Sequence, residues 1–108
     1  FLIGACSTTI NEFQSDGWDI SSQARTINEI EAASVADIQK TNETSNRRSP
    51  IPLVPFGYGN KHWVKFKEKV QEGDEIRFVK NRKRGSGYAL IRDGKVVDTY
   101  LYFVINAR

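Results

Sequence analysis

Cysteine and histidine are nearly absent. Cys6 and His62 are the only ones, and there is no methionine. One cysteine excludes an internal disulfide framework and a Cys-rich zinc site. One histidine leaves little for triad chemistry, and His62 stands beside Trp63 with no partner motif. A lone histidine on a strand is more often structural than catalytic. No apolar run approaches the roughly 18–20 residues a helix needs to cross a bilayer. No phosphate-binding glycine loop is present either: Gly85-Ser86-Gly87 lacks the lysine and the helix context. Asp74 and Asp93 are accounted for by turns. Glu72, Glu75 and Asp98 show no spacing that selects an acid–base pair. The expectation is a protein that is not an enzyme and takes no metal and no cofactor.

What is present is one small domain's worth of ordinary globular sequence: 108 residues, 39% hydrophobic and 27% charged. The net charge of +3 is unevenly spread. Residues 1–60 carry four basic and seven acidic side chains, residues 61–108 twelve basic and six acidic. An anionic partner would therefore feel the C-terminal half. A chain this short buries only about 60–68% of its unfolded surface, which leaves little room for a large enclosed site.

The first residues read Phe1-Leu2-Ile3-Gly4-Ala5-Cys6-Ser7-Thr8-Thr9, without an initiator methionine. Large apolar residues leading into small ones read as the end of a secretory h-region and its cleavage site. Ile3-Gly4-Ala5-Cys6 resembles the lipobox of bacterial lipoproteins. The resemblance implies that residues 1–5 are the end of a signal peptide. It also implies that Cys6 becomes the first residue, with a diacylglyceryl thioether and often an acylated (palmitate-type) amino terminus. Two or more acyl chains hold a protein stably on a membrane where one does not. Lipidation also removes a free thiol from an oxidising compartment. Ser7 follows Cys6 where an Asp would suggest inner-membrane retention in enterobacteria. The resemblance thus implies the outer membrane, with the domain facing the periplasm.

Residues 6–23, rich in Ser, Thr, Asn, Asp and Gln, suit a lipidated tether, and 24–108 the domain. Within 6–23, Trp18 and Ile20 suit a short strand after an Asp16-Gly17 turn. Ile27, Ile30 and Ile38 recur on one face of a helix over 24–40, the alternative being a shorter helix capped at Ser34 with 24–32 extended. Residues 41–60 form a connector. Pro50, Pro52 and Pro55 alternate there with apolar residues expected to pack on the core, and Gly57–Asn60 reads as a turn. Strands are expected over 62–70, 75–80, 86–92 and 95–105, with Asp93-Gly94 as a primed two-residue hairpin turn. The segment 87–97, preceded by Gly73–Ile76, resembles a hairpin found in small uncharacterised bacterial proteins. That resemblance supports the strands and implies no activity. The fold class is α+β: one N-terminal helix packed on an antiparallel meander of about four strands, curled toward a small open barrel.

Alternation along 62–70 would place Lys61, Trp63, Lys65, Lys67 and Lys69 on one face, opposite Val64, Phe66 and Val70. In the last strand, Val97, Leu101, Phe103 and Ile105 suit the core, with Val96, Tyr100, Tyr102 and Val104 opposite. The expected ligand surface is Trp63, Lys65, Lys67 and Arg77 together with the basic loop Lys80, Arg82, Lys83 and Arg84. Cations interleaved with aromatics suit a single-stranded nucleic acid, and equally the phosphates of lipid headgroups. Compartment favours the second. The expected partners are the membrane through the lipid anchor, then an anionic lipid, an envelope polymer or another envelope protein. The plainer alternative is a last strand covered on both faces, with lysines lining a solvated edge. The functional expectation is a non-catalytic binding or structural module of the bacterial cell envelope. Its rival is a soluble basic β-domain binding nucleic acid through a Lys/Arg-aromatic sheet face.

Overall fold

Two capping boxes determine where the first helices begin. The computed structural model describes residues 8–45 and 49–105; Cys6, the expected signal-peptide end and Arg47-Arg48 lie outside them. Strand β1 (Thr8–Thr9) leads into helix α1 (Ile10–Ser15). The Thr9 hydroxyl accepts from the Glu12 amide at 3.1 Å, and the Glu12 carboxylate accepts from the Thr9 amide at 3.0 Å. Strand β2 (Trp18–Arg25) follows, and then helix α2 (Ile27–Thr44), where Thr26 and Glu29 repeat the same box.

Residues 8–23 are therefore folded rather than a tether. Their polar composition conceals Phe13 and Trp18, whose rings stack at 5.0 Å and are both buried. The cap at Thr26 also moves the expected 24–40 helix to 27–44, because Ala24 and Arg25 pair with β3. Ser34 is no cap. It lies within α2, and its hydroxyl accepts from the Phe56 amide at 2.8 Å.

After the connector come a short 3-10 turn (Gly57–Gly59), helix α3 (Asn60–Lys67), and strands β3 (Glu75–Asn81), β4 (Gly85–Arg92) and β5 (Lys95–Val104). The expected strand over 62–70 is a helix through Lys67. Trp63 and Phe66 are three residues apart, so one helical face buries both, and their rings stack at 5.6 Å. The expected meander over 75–105 is found almost residue for residue. Asp93 and Gly94 both take positive φ (53° and 74°), as a primed hairpin turn requires.

The fold is α+β, with an antiparallel five-stranded sheet in the order β1-β5-β4-β3-β2. Helices α2 and α3 pack on one face, where Ile30, Trp63 and Phe66 meet Ile76, Leu90 and Tyr100. Helix α1 seals the other, where Phe13 and Trp18 meet Val79, Ala89, Ile91 and Val96. The strand covered on both faces is β4, buried from Tyr88 through Ile91.

β5 departs from simple alternation. Its pairing with β4 slips at two places, so Val97 and Tyr102 are extra residues. Each slip is a bulge that reverses which face the following residues take and increases the curl of the sheet. Val97 and Tyr100 consequently share the helix-covered face, while Val96 and Leu101 face α1. The expected core roles of Phe103 and Ile105 are not found: they are 56% and 36% exposed.

Two polar clasps fasten the layers. Glu31 of α2 accepts from the Trp63 indole at 2.8 Å and from the Lys67 ammonium at 2.7 Å. Burial works to raise the Glu31 pKa, but these bonds outweigh it and hold the carboxyl below its ordinary value. The second clasp is Asp74, whose side chain is 1% exposed. It accepts from Arg92 through Nε (2.9 Å) and Nη2 (2.8 Å) and from the Gln71 amide. Arg92 is the chief cause of its lowered pKa. A depressed carboxyl pKa adds stability above the unfolded value, near pH 4, and that stability is lost as pH falls through the folded value. Asp74→Asn is thus expected to cost about 1–3 kcal/mol at neutral pH. Urea midpoints should show the gap from the parent narrowing as pH falls below the unfolded carboxylate value and on through the lowered folded one. A gap that does not change with pH would refute the clasp.

Candidate functional site

A groove of about 480 Å³ lies between α2, the connector and the sheet. Its floor is Tyr88 of β4 and Tyr102 of β5, with Phe56 beside them. Phe56 is the aromatic hub. Its ring lies 5.6 Å from Tyr102, 6.3 Å from Tyr88 and 4.9 Å from both Trp63 and Tyr100. Its backbone is left-handed at φ 63°, an unfavourable setting for a bulky residue, and the Ser34 hydroxyl holds it there. Gly57 follows, buried against Ile51 and also at positive φ, where an added Cβ would strike the Ile51 side chain. The Asn42 side chain in turn exchanges two hydrogen bonds with the Ile51 backbone, closing the wall onto α2.

Arg25 from the end of β2 and Asp37 from α2 supply the groove's charges. Neither takes part in an ion pair within 4.0 Å among the described residues. Burial raises the pKa of both Tyr88 and Tyr102, with Arg25 partly offsetting it and Asp37 adding to it. The two hydroxyls thus stay protonated at neutral pH and lie within the field of both charges. An adjoining hollow shares Arg25, Tyr88 and Tyr102 and is lined further by Ser21, Gln23 and Phe78. Tyr100, deeper in, is pushed up to about 12 by burial, and its hydroxyl donates to the Gly59 carbonyl.

Comparison with known families, curated proteins and solved structures finds no match for this chain. Aromatic rings, two phenol hydroxyls and one charge of each sign suit binding of a molecule with an apolar body and polar ends. Among the described residues, the groove's one serine, Ser34, has its hydroxyl bonded to the Phe56 amide. Among the described residues, no three His, Cys, Asp or Glu side chains converge as metal ligands.

The expected ligand residues divide into separate groups. Trp63 is fully buried, so it offers no surface to a ligand. Lys67 pairs with Glu31 at 2.7 Å, and Arg77 with Glu75 at 2.7 Å. Lys65 is exposed on α3, near His62 and Lys69 in a second groove against β5. The expected basic-aromatic sheet face therefore does not form: its lysines ride on a helix, and that sheet face is covered by α2 and α3. Lys80, Arg82, Lys83 and Arg84 do cluster, exposed at the β3–β4 turn.

Sequence reasoning missed Arg25, Asp37, Phe56 and Tyr88 as a site. The available signal was the aromatic-rich connector Phe56-Gly57-Tyr58-Gly59 after the prolines. It carried no indication of which strand it would cover.

Proposed function

We propose that this chain is a small lipoprotein of the bacterial cell envelope, anchored through Cys6, whose domain is a non-catalytic binding module. The observation that carries the binding role is the groove over Tyr88 and Tyr102, open to solvent and edged by Arg25 and Asp37, which form no ion pair among the described residues. The anchor rests on the lipobox-like residues. Cys6 stands two residues before Thr8, so an acylated sulfur would hold the β1–β5 edge within about 7 Å of the lipid attachment. The domain would sit on the membrane surface, facing the periplasm from the outer membrane.

Two measurements test the two halves. Intact mass and membrane fractionation after expression in a Gram-negative host should show a lipid-sized gain, lost in Cys6→Ala. A soluble, unmodified product retaining residues 1–5 would overturn the anchor. For the groove, anilinonaphthalene sulfonate is a suitable probe, since its rings match the aromatic floor and its sulfonate matches Arg25. Bound-state fluorescence should drop several-fold in Tyr102→Ala and in Arg25→Ala, both exposed positions where fold is retained. Equal fluorescence in parent and variants would remove the groove as the binding site.

A further inference from the structure

The basic turn and an exposed apolar stretch lie at the same end of the sheet. Gly85 pairs with Val104, Ser86 with Phe103, and the Ile105 amide donates to the Arg84 carbonyl at 3.0 Å. Phe103 and Val104 are 56% and 58% exposed, among the largest apolar exposures in the described residues. Beside them Arg82, Lys83 and Arg84 point from the turn with no ion pair among the described residues. The carboxylates at this end are Asp19, opposite Lys80, and Asp16, whose carbonyl accepts from Asn81; neither forms an ion pair among the described residues.

The tip is held firmly rather than left as a loose loop. Asn81 is 5% exposed and takes three bonds: its carbonyl accepts from the Arg84 amide, its side-chain oxygen from the Lys83 amide, and its side-chain nitrogen donates to the Asp16 carbonyl. Gly85, at φ 134°, lets the chain turn back where an added Cβ would strike the Phe103 carbonyl.

We propose that this tip, Arg82-Lys83-Arg84 with Phe103 and Val104, docks on an anionic phospholipid surface. Cations beside exposed apolar side chains match the headgroup boundary, where phosphates meet acyl chains. Nucleic acid shares the phosphates and can stack a base on Phe103, but it gives aliphatic Val104 nothing to enter, so Val104 favours the lipid surface. The setting rests on the lipid-anchor reading; the surface itself does not. Thr8 pairs with Val96, and Val104 lies eight residues further along β5, roughly 25 Å away. Anchor and tip would then touch one bilayer together only with β5 lying along its surface.

The test uses the full chain carrying Cys6→Ala, so that no acyl chain contributes. Co-sedimentation is measured with vesicles of phosphatidylglycerol and of phosphatidylcholine at two salt concentrations. Binding is expected to the anionic vesicles alone and to weaken with salt. Neutralising Arg82, Lys83 and Arg84 together should weaken it about a hundredfold, or about fivefold per cation. Phe103→Ser with Val104→Ser should weaken it about tenfold, with an unchanged circular dichroism spectrum because both positions are exposed. Equal binding to both lipids, unchanged binding by the neutralised variant, or binding to a labelled oligonucleotide but to no vesicle would each overturn the proposal. The mass of the parent lipoprotein reports separately on the anchor.

Discussion

Trp63→Ala is expected to lower the unfolding free energy by about 3–5 kcal/mol, a large share of a small domain's total. Trp63 is fully buried and packs against Phe56, Phe66 and Tyr100, with ring centroids 4.9–5.6 Å away. The indole also joins α3 to Glu31 of α2, so its removal both opens a cavity and releases one of the bonds between the two helices. Lys65→Ala, two residues on and exposed, should change stability by less than about 0.5 kcal/mol. Denaturant midpoints of the two variants measure the contrast. A loss below about 1 kcal/mol at Trp63 would mean that α3 does not pack as described.

Gly87→Ala is the second large effect, expected at about 3 kcal/mol or more. The cause is steric and comes from main chain. An added Cβ at Gly87 would fall onto the Tyr100 carbonyl oxygen and the Leu101 Cα of β5, beside the bulge at Tyr102. Rotamer changes cannot relieve a clash with backbone, so β4 and β5 must separate. Gly94→Ala isolates the other reason for glycine. Its φ is 74° and nothing lies within 4 Å of the added carbon, so only torsional strain of about 1–2 kcal/mol is expected. Thermal unfolding of both variants decides the matter. If they lose equal stability, β5 does not approach β4 as closely as described.

The turn signals in the sequence were local and reliable. Asp93-Gly94 determines a primed turn through the φ values it requires, and that turn registers β4 against β5 from the hairpin end. Thr26 with Glu29 is an equally local signature of a helix start, although the apolar spacing drew the expected helix three residues earlier. Alternation was the unreliable signal. Lys61, Trp63, Lys65, Lys67 and Lys69 alternate as a strand would, while Trp63 and Phe66 share a helical face. Both patterns are present in one short segment, and burial of two aromatic rings against Ile30, Leu90 and Tyr100 outweighs β-propensity.

The candidate site was legible only in fragments. Tyr102 stood out as an aromatic on the strand face opposite the expected core, and the basic turn at 80–84 stood out as charge. Their neighbours did not, because Arg25, Asp37, Phe56, Tyr88 and Tyr102 span 78 positions of the chain and meet only once the sheet has curled.

By itself the sequence determined the α+β class, the β3–β4–β5 meander and its turns, since these rest on dihedral preferences and pairings between neighbours in the chain. Tertiary structure alone decided that 60–67 coils, that polar residues 8–25 fold onto both edges of the sheet, and that β5 changes faces at two bulges. Each of those outcomes depends on which distant apolar surface a residue can bury, and that surface exists only in the folded molecule.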